Sequence, residues 1–194
     1  MKLVFATHNE NKFNEVKELL PEYIELLSLT DLDCHEDIPE TAETLEGNAK
    51  IKADYVTKNY GLPCFADDTG LLVDALNGAP GAYSARYAGE QKNASDNMTK
   101  LLSELKGIEN RSARFQTSIV LNLNKESIFF QGIVEGKITA YETGEQGFGY
   151  DPIFQPKGYQ KTFGELPLKI KNQISHRGRA IQKLVAYLQQ YRSN

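Results

Sequence analysis

Cys64-Phe65-Ala66-Asp67-Asp68-Thr69-Gly70 sets two adjacent carboxylates, a hydroxyl and a glycine directly behind a short apolar run. With Pro63 before them, Phe65 and Ala66 have the character of the end of a buried strand, which puts the polar residues in a loop. Ligand sites in α/β proteins sit where strand ends open into such loops. Neighbouring aspartates repel, so the pair is easiest to keep where a cation or a strong donor holds one of them. A hard cation such as Mg2+ takes oxygen ligands and keeps waters and substrate phosphates in its shell. Taken alone, the stretch also reads as an Asx turn followed by glycine, with two exposed acids.

On the N-terminal side, Leu3, Val4, Phe5 and Ala6 predict a buried strand over 2–7. The polar loop Thr7-His8-Asn9-Glu10-Asn11-Lys12 leads into a helix whose apolar positions are Phe13, Val16, Leu19 and Leu20, with Pro21 as its stop. A strand, a polar loop and a helix N-terminus together present backbone N–H groups to a phosphate. Thr7, Asn9 and Lys12 place a hydroxyl, an amide and a cation at the same end; the alternative is an asparagine cap with a solvated lysine. The glycines and the Gly-Lys-Ser/Thr ending of a Walker A loop are missing. A second strand is expected over 23–29, an acidic irregular stretch over 30–43, and a helix over 44–59 with Leu45, Ala49, Ala53 and Val56 on one side. Lys52 is flanked by core positions, either directed at a ligand or snorkelling to water.

On the C-terminal side, Leu71-Leu72-Val73 is apolar and Asn77-Gly78-Ala79-Pro80-Gly81 marks a turn, followed by Tyr83-Ser84-Ala85-Arg86-Tyr87. Met98, Leu101, Leu102 and Leu105 predict an amphipathic helix. The runs 115–123 and 127–138 read as a β-hairpin. Residues 143–149 are glycine-rich, and Phe148-Gly149-Tyr150-Asp151-Pro152 carries two aromatics and an acid in a loop. Residues 158–172 read mostly as loop, and a final helix is expected over 175–192. His176 and Arg177 in its first turn oppose the helix dipole unless an anion sits there.

A chain of 194 residues is expected to build one well-cored domain, here 1–194, with room for two lobes. Strands, helices and a hairpin argue for an α/β protein with a mixed sheet. The net charge of −4 is not the footprint of a protein that grips nucleic acid polymers or an anionic membrane. Cys34 and Cys64 lack metal-site spacing and suggest a reducing, cytoplasmic compartment. No apolar stretch reaches the length of a membrane span.

Four separated segments, 6–12, 65–71, 147–154 and 171–178, together with Gly78-Ala79-Pro80-Gly81 and 83–87, resemble the signatures of the inosine triphosphate pyrophosphatase (XTP/dITP diphosphatase) family. The resemblance spans essentially the whole chain, and its motifs are weak singly and strong together. It implies a two-lobed fold with a long central mixed β-sheet flanked by helices and the active site in the cleft between the lobes. It implies a homodimer, and Mg2+-dependent hydrolysis of deaminated purine nucleoside triphosphates (ITP, dITP, XTP) to monophosphate and pyrophosphate. The phosphate-binding loop falls on Thr7, Asn9 and Lys12, with His8, Glu10 and Asn11 between them. Glu40 corresponds to an acidic metal ligand, Lys52 to the helix lysine, Asp68 to the catalytic metal-binding aspartate and Thr69 to the substrate contact after it. The base pocket falls on Phe148, Gly149, Tyr150, Asp151, Lys171, His176 and Arg177, with Arg177 or a backbone N–H directed at O6 of the base. Gly164-Glu165-Leu166 and Ile170 depart from the usual pattern, away from these positions. A Maf-type pyrophosphatase, acting on pyrimidine or methylated triphosphates, lacks the Ser-His-Arg ending at 175–177, and an aspartyl-phosphate phosphatase needs Asp-x-Asp rather than adjacent acids. A non-catalytic nucleotide sensor would use the same pocket.

Overall fold

A computed structural model of the chain describes residues 1–193; Asn194, the last residue of the expected single domain, lies outside them. Strand β1 (Lys2–Phe5) pairs in parallel with both β2 (Glu25–Leu27) and β3 (Cys64–Val73). With β4 (Ser112–Leu123), β5 (Glu126–Ile138) and β6 (Phe154–Pro156) they form a six-stranded sheet of order β2-β1-β3-β4-β5-β6. The β5–β6 pair is antiparallel, so the sheet is mixed, as the sequence predicts. The helices are α1 (Glu10–Leu19), α2 (Leu45–Tyr60), α3 (Ala94–Glu104), α4 (Leu168–Ile174) and α5 (His176–Ser193). Among the described residues no helix is long and apolar enough to cross a membrane.

The chain divides into two compact units. One comprises 1–68, 117–132 and the C-terminal segment from 177; the other comprises 69–116 and 133–176. In the first, the alternation of side chains along a strand sorts the core into two layers. Leu3, Phe5, Phe65, Ile119 and Leu121 pack with Val16 of α1 and with Ala180, Ile181, Leu184 and Leu188 of α5. Their neighbours Val4, Ala6, Cys64, Ala66 and Val120 pack with Ala49, Ala53 and Val56 of α2. Phe5 and Phe65 stack with ring centroids 4.6 Å apart, across the β1–β3 pairing that sets Phe5 opposite Phe65. In the second unit, Leu71 and Val73 of β3, Met98, Leu101 and Leu105 at α3, and Phe115, Phe154 and Phe163 share one core.

Several expectations need correction. Strand β3 does not end at Ala66: Asp67, Asp68, Thr69 and Gly70 are interior to it, and no loop opens at the acids. Charge marks a loop only where the charges face water, and both of these are buried. The stretch 158–172, expected mostly as loop, holds the start of α4, because Pro167 at its N-cap position starts a helix as readily as it ends one. Strand β2 is shorter than 23–29, and β6 lies within a segment given no strand. The hairpin is present, its two-residue turn formed by Asn124 and Lys125, both at positive φ.

Candidate active site

The adjacent aspartates of β3 point to opposite faces of the strand, and each meets different partners. Asp67 follows Phe65 toward α1 and α5. Its Oδ1 accepts from Lys12 Nζ at 2.9 Å, and its Oδ2 accepts from Arg177 Nε at 3.1 Å. Arg177 Nη1 donates in turn to Glu15 Oε2 at 2.5 Å. Lys12 and Glu15 lie three residues apart on one face of α1. The Asn9 side chain caps that helix by accepting the Lys12 N–H at 3.1 Å, and Thr7 Oγ1 accepts from the Asn9 N–H.

Asp68 follows Ala66 toward α2. Its Oδ2 accepts from Asn48 Nδ2 at 3.2 Å, and its Oδ1 lies 3.9 Å from Lys52 Nζ. Lys52 donates to Glu40 Oε1 at 2.7 Å, so Glu40 and Asp68 gather around one ammonium group. Asn48 and Lys52 sit one helical turn apart on the buried face of α2, and Asn48 Oδ1 also takes the Ala42 N–H. Thr44 caps the helix by accepting from the Gly47 N–H.

The two carboxyls are driven in opposite directions. Burial alone would raise the Asp67 carboxyl, but Lys12, Arg177 and Lys52 outweigh it and hold Asp67 well below the usual carboxylate range. Burial raises the Asp68 carboxyl above its ordinary value, against the pull of Lys52 and Lys12. Burial lowers the Lys12 ammonium despite Asp67. For Lys52, burial works downward, and Asp68 and Glu40 more than offset it. The cluster therefore holds one committed anion and a second carboxylate for which negative charge is costly.

In the other unit, the turn Phe148–Asp151 closes on the Asp151 carboxylate. Asp151 Oδ2 accepts from the Phe148 N–H and from Lys171 Nζ, each at 2.7 Å. Lys171 Nζ lies 4.9 Å from the centroid of the half-buried Phe148 ring. Gly147, at φ +76°, leaves room for that carboxylate: a Cβ there would meet Asp151 Oδ2 at 2.1 Å. Tyr150 donates its phenol to the Ser84 carbonyl at 2.8 Å.

The structure thus brings Lys12, Lys52, Glu40 and Asp68 into one ion-paired set, with Thr7 and Asn9 at the end of α1. It brings Phe148, Gly149, Tyr150, Asp151 and Lys171 into another. His8, Glu10 and Asn11 are exposed, His8 Nε2 lying 2.9 Å from the Glu36 carbonyl oxygen, and Thr69 is half-buried. His176, expected at the base, is buried with its ring stacked on Phe115 at 4.6 Å. Arg177, expected to address the base, instead has its guanidinium on Asp67 and Glu15. The anion demanded by a cation in the first turn of α5 is thus supplied by the protein itself. Glu15 and Asn48 were not singled out in the sequence, and Asp67 only as the neighbour of Asp68. Their signal is a polar residue at core spacing: Glu15 beside Val16, and Asn48 between Leu45 and Lys52.

A family model described as the Ham1 family matches residues 3–187. The chain belongs to the Ham1 family. Among curated Ham1 relatives, the dITP/XTP pyrophosphatase of Flavobacterium johnsoniae is 63% identical, over 97% of this chain and 98% of that protein. The dITP/XTP pyrophosphatase of Porphyromonas gingivalis is 50% identical, over 96% and 97%. The solved structure of the Staphylococcus aureus Ham1 protein superposes with a TM-score of 0.90 at 40% identity, covering 98% of this chain and all of that one.

A divalent metal fits the Ham1 cluster. Among the described residues no group of three or more His, Cys, Asp or Glu forms a protein-only metal cage. Two carboxylates around one cationic point are the hard oxygen donors that Mg2+ takes when waters and substrate phosphates complete its shell.

Proposed function

We propose that this Ham1 chain hydrolyses the deaminated purine nucleoside triphosphates dITP, ITP and XTP to the monophosphate and pyrophosphate, with Mg2+ held by Glu40 and Asp68. The near-full-length identity to dITP/XTP pyrophosphatases supports the substrate class. The charge of the cluster carries the metal dependence. Lys12, Lys52 and Arg177 stand against Glu15, Glu40, Asp67 and Asp68, a set one negative charge in excess that would repel a triphosphate. Glu40 and Asp68 would hold a divalent ion there, whose charge would reverse that sign toward the phosphates.

The remaining work falls to the chain's own groups. The N-terminus of α1, with Thr7, Asn9 and Lys12, receives phosphate oxygens through N–H groups and a cation. At ~4 Å and an effective dielectric near 20, a lysine–phosphate pair contributes about 4 kcal/mol before desolvation. Asp68 orients the water that attacks the α-phosphorus in line with the departing pyrophosphate. Its carboxylate oxygens, placed by Asn48 and Lys52, are the acceptors offered to that water. Arg177 acts through Asp67, fixing the lysine that meets the phosphates. Within the second unit, Phe148 offers a ring for the base to stack on and Lys171 a donor for O6. Adenine offers an amino group in place of that acceptor, which leaves a donor unpaired at a penalty of about 1–3 kcal/mol. The resemblance seen in the sequence is what supports a cytoplasmic homodimer.

The test is a panel of ITP, dITP, XTP, GTP, ATP and UTP assayed with Mg2+ and with chelator. Expected are pyrophosphate release from the deaminated purines, kcat/KM at least tenfold above that for ATP, and no turnover in chelator. Release of orthophosphate alone, or no turnover of ITP, would overturn the reading.

A further inference from the structure

The segment 78–87, which supplies the carbonyl acceptor of Tyr150, lies outside both residue sets of the site. It contains a turn of 3-10 helix, Gly81–Arg86, and is fastened to the second half of β3 at three points. The Val73 N–H donates to the Ala79 carbonyl at 3.1 Å, Leu72 and Pro80 form an isolated antiparallel bridge, and the Leu71 N–H donates to Ser84 Oγ at 2.9 Å. Ser84 is 7% exposed, and its hydroxyl closes the turn by donating to the Gly81 carbonyl at 2.6 Å. Asn97 of α3 secures the far end, donating to the Ala85 carbonyl at 2.9 Å and accepting the Ala88 N–H at 2.6 Å. Every polar group of Ser84 named here is committed, and its carbonyl is the acceptor for the phenol of Tyr150.

From this geometry we infer that Ser84 is a positioning residue for base recognition. It ties the loop carrying Phe148, Tyr150 and Asp151 to β3, the strand that carries Asp68 three residues before Leu71. The inference rests on the proposed reading of that loop as the base-binding element. Asp151 fixes the loop from within, through the Phe148 N–H and Lys171. The phenol of Tyr150, itself buried, fixes it from outside, onto a backbone carbonyl that cannot swing away because the Ser84 hydroxyl is held at both its donor and its acceptor side. Removing the hydroxyl leaves the Leu71 N–H buried without its acceptor and lets the turn shift, so the loop loses its registry while the phosphate cluster keeps its own contacts.

The experiment compares wild type with Ser84→Ala and Tyr150→Phe. It measures kcat and KM for ITP and, by calorimetry with Mg2+, the dissociation constants of IMP and of inorganic pyrophosphate. Loss of one such hydrogen bond is expected to raise KM for ITP and weaken IMP about five- to tenfold, with kcat falling less than KM rises and pyrophosphate affinity unchanged. A residue needed only for folding would lower the melting temperature without separating IMP from pyrophosphate. If Ser84→Ala does not fold, Tyr150→Phe decides, because it removes one phenolic hydroxyl and no carbon atom. Unchanged IMP affinity in Tyr150→Phe, or equal weakening of IMP and pyrophosphate in either variant, overturns the inference. Failure of the wild type to turn over ITP would instead bring down the reading on which it stands.

Discussion

In the folded chain at neutral pH, ionised Asp67 is stabilising, whereas the negative charge on Asp68 is a burden that position must carry. The difference arises because β3 turns successive side chains to opposite faces, giving Asp67 two close cations and Asp68 an amide and a shared lysine. Asp67→Asn removes the counter-charge of both Lys12 and Arg177 and is expected to lower unfolding free energy by about 3–5 kcal/mol in urea titrations. Because the folded-state carboxyl lies below its unfolded value, its stabilisation is present above the unfolded value, about pH 4, and is lost as pH falls further. The deficit of Asp67→Asn, measured in chelator, should therefore shrink below about pH 4. Asp68→Asn should behave oppositely. Its folded-state carboxyl is raised, so removing the charge leaves stability at neutral pH unchanged or higher, while pyrophosphate release falls by about 100-fold or more. An Asp68→Asn protein that keeps its turnover, or unfolds as easily as Asp67→Asn, would contradict this division of roles.

Among the elements, α3 and the end of β5 are joined by one side chain. Arg111 donates Nη1 to the Leu105 carbonyl at the C-terminus of α3, Nε to the Ile138 carbonyl that closes β5, and Nη2 to the Thr139 carbonyl. A cation is favoured at a helix C-terminus, and the planar fork of guanidinium donors serves three carbonyls that an ammonium could not reach together. Arg111→Lys is expected to cost about 2 kcal/mol of stability, read as a lower urea midpoint with unchanged slope. Its KM for ITP should stay near wild type, since Arg111 touches neither residue set of the site. The same scale explains what sequence pattern missed. Helix α4 is only seven residues long and carries Lys171 and Asn172 on its buried side, so its apolar periodicity is faint. Strand β6 is three residues of a loop-like segment and exists because β5 pairs with it. Gly136 of β5 lies so close that a Cβ would meet the Gln155 carbonyl oxygen at 2.4 Å.

Among the named residues, the ion-paired set around β3 is net negative, and the proposed divalent cation would reverse that sign. Magnesium and pyrophosphate together, at about 100 times their dissociation constant, should stabilise the fold by about 2.7 kcal/mol, a rise of roughly 5–10 °C in melting temperature for a chain of this size. Pyrophosphate in chelator should produce little of it. An equal rise without metal, by scanning calorimetry, would mean that the anion is bound by the cations alone.

The amino-acid sequence by itself determined the strands β1, β4 and β5, the helices α1, α2, α3 and α5, the mixed sheet and the family, since apolar periodicity and short motifs are local properties of the chain. It also singled out Asp68, Lys12, Lys52 and the aromatic turn at 148–151, residues that the fold gathers into two sets. Only the tertiary structure decided that the Asp67–Asp68 pair lies inside a strand, that Asp67 meets Lys12 and Arg177, and that Arg177 also meets Glu15. Those outcomes depend on which distant charges meet across β3. Arg177 and Asp67 are 110 positions apart in the chain, and Arg177 and Glu15 are 162 apart. A buried charge looks like a loop residue until its partner, contributed by another element, is in place.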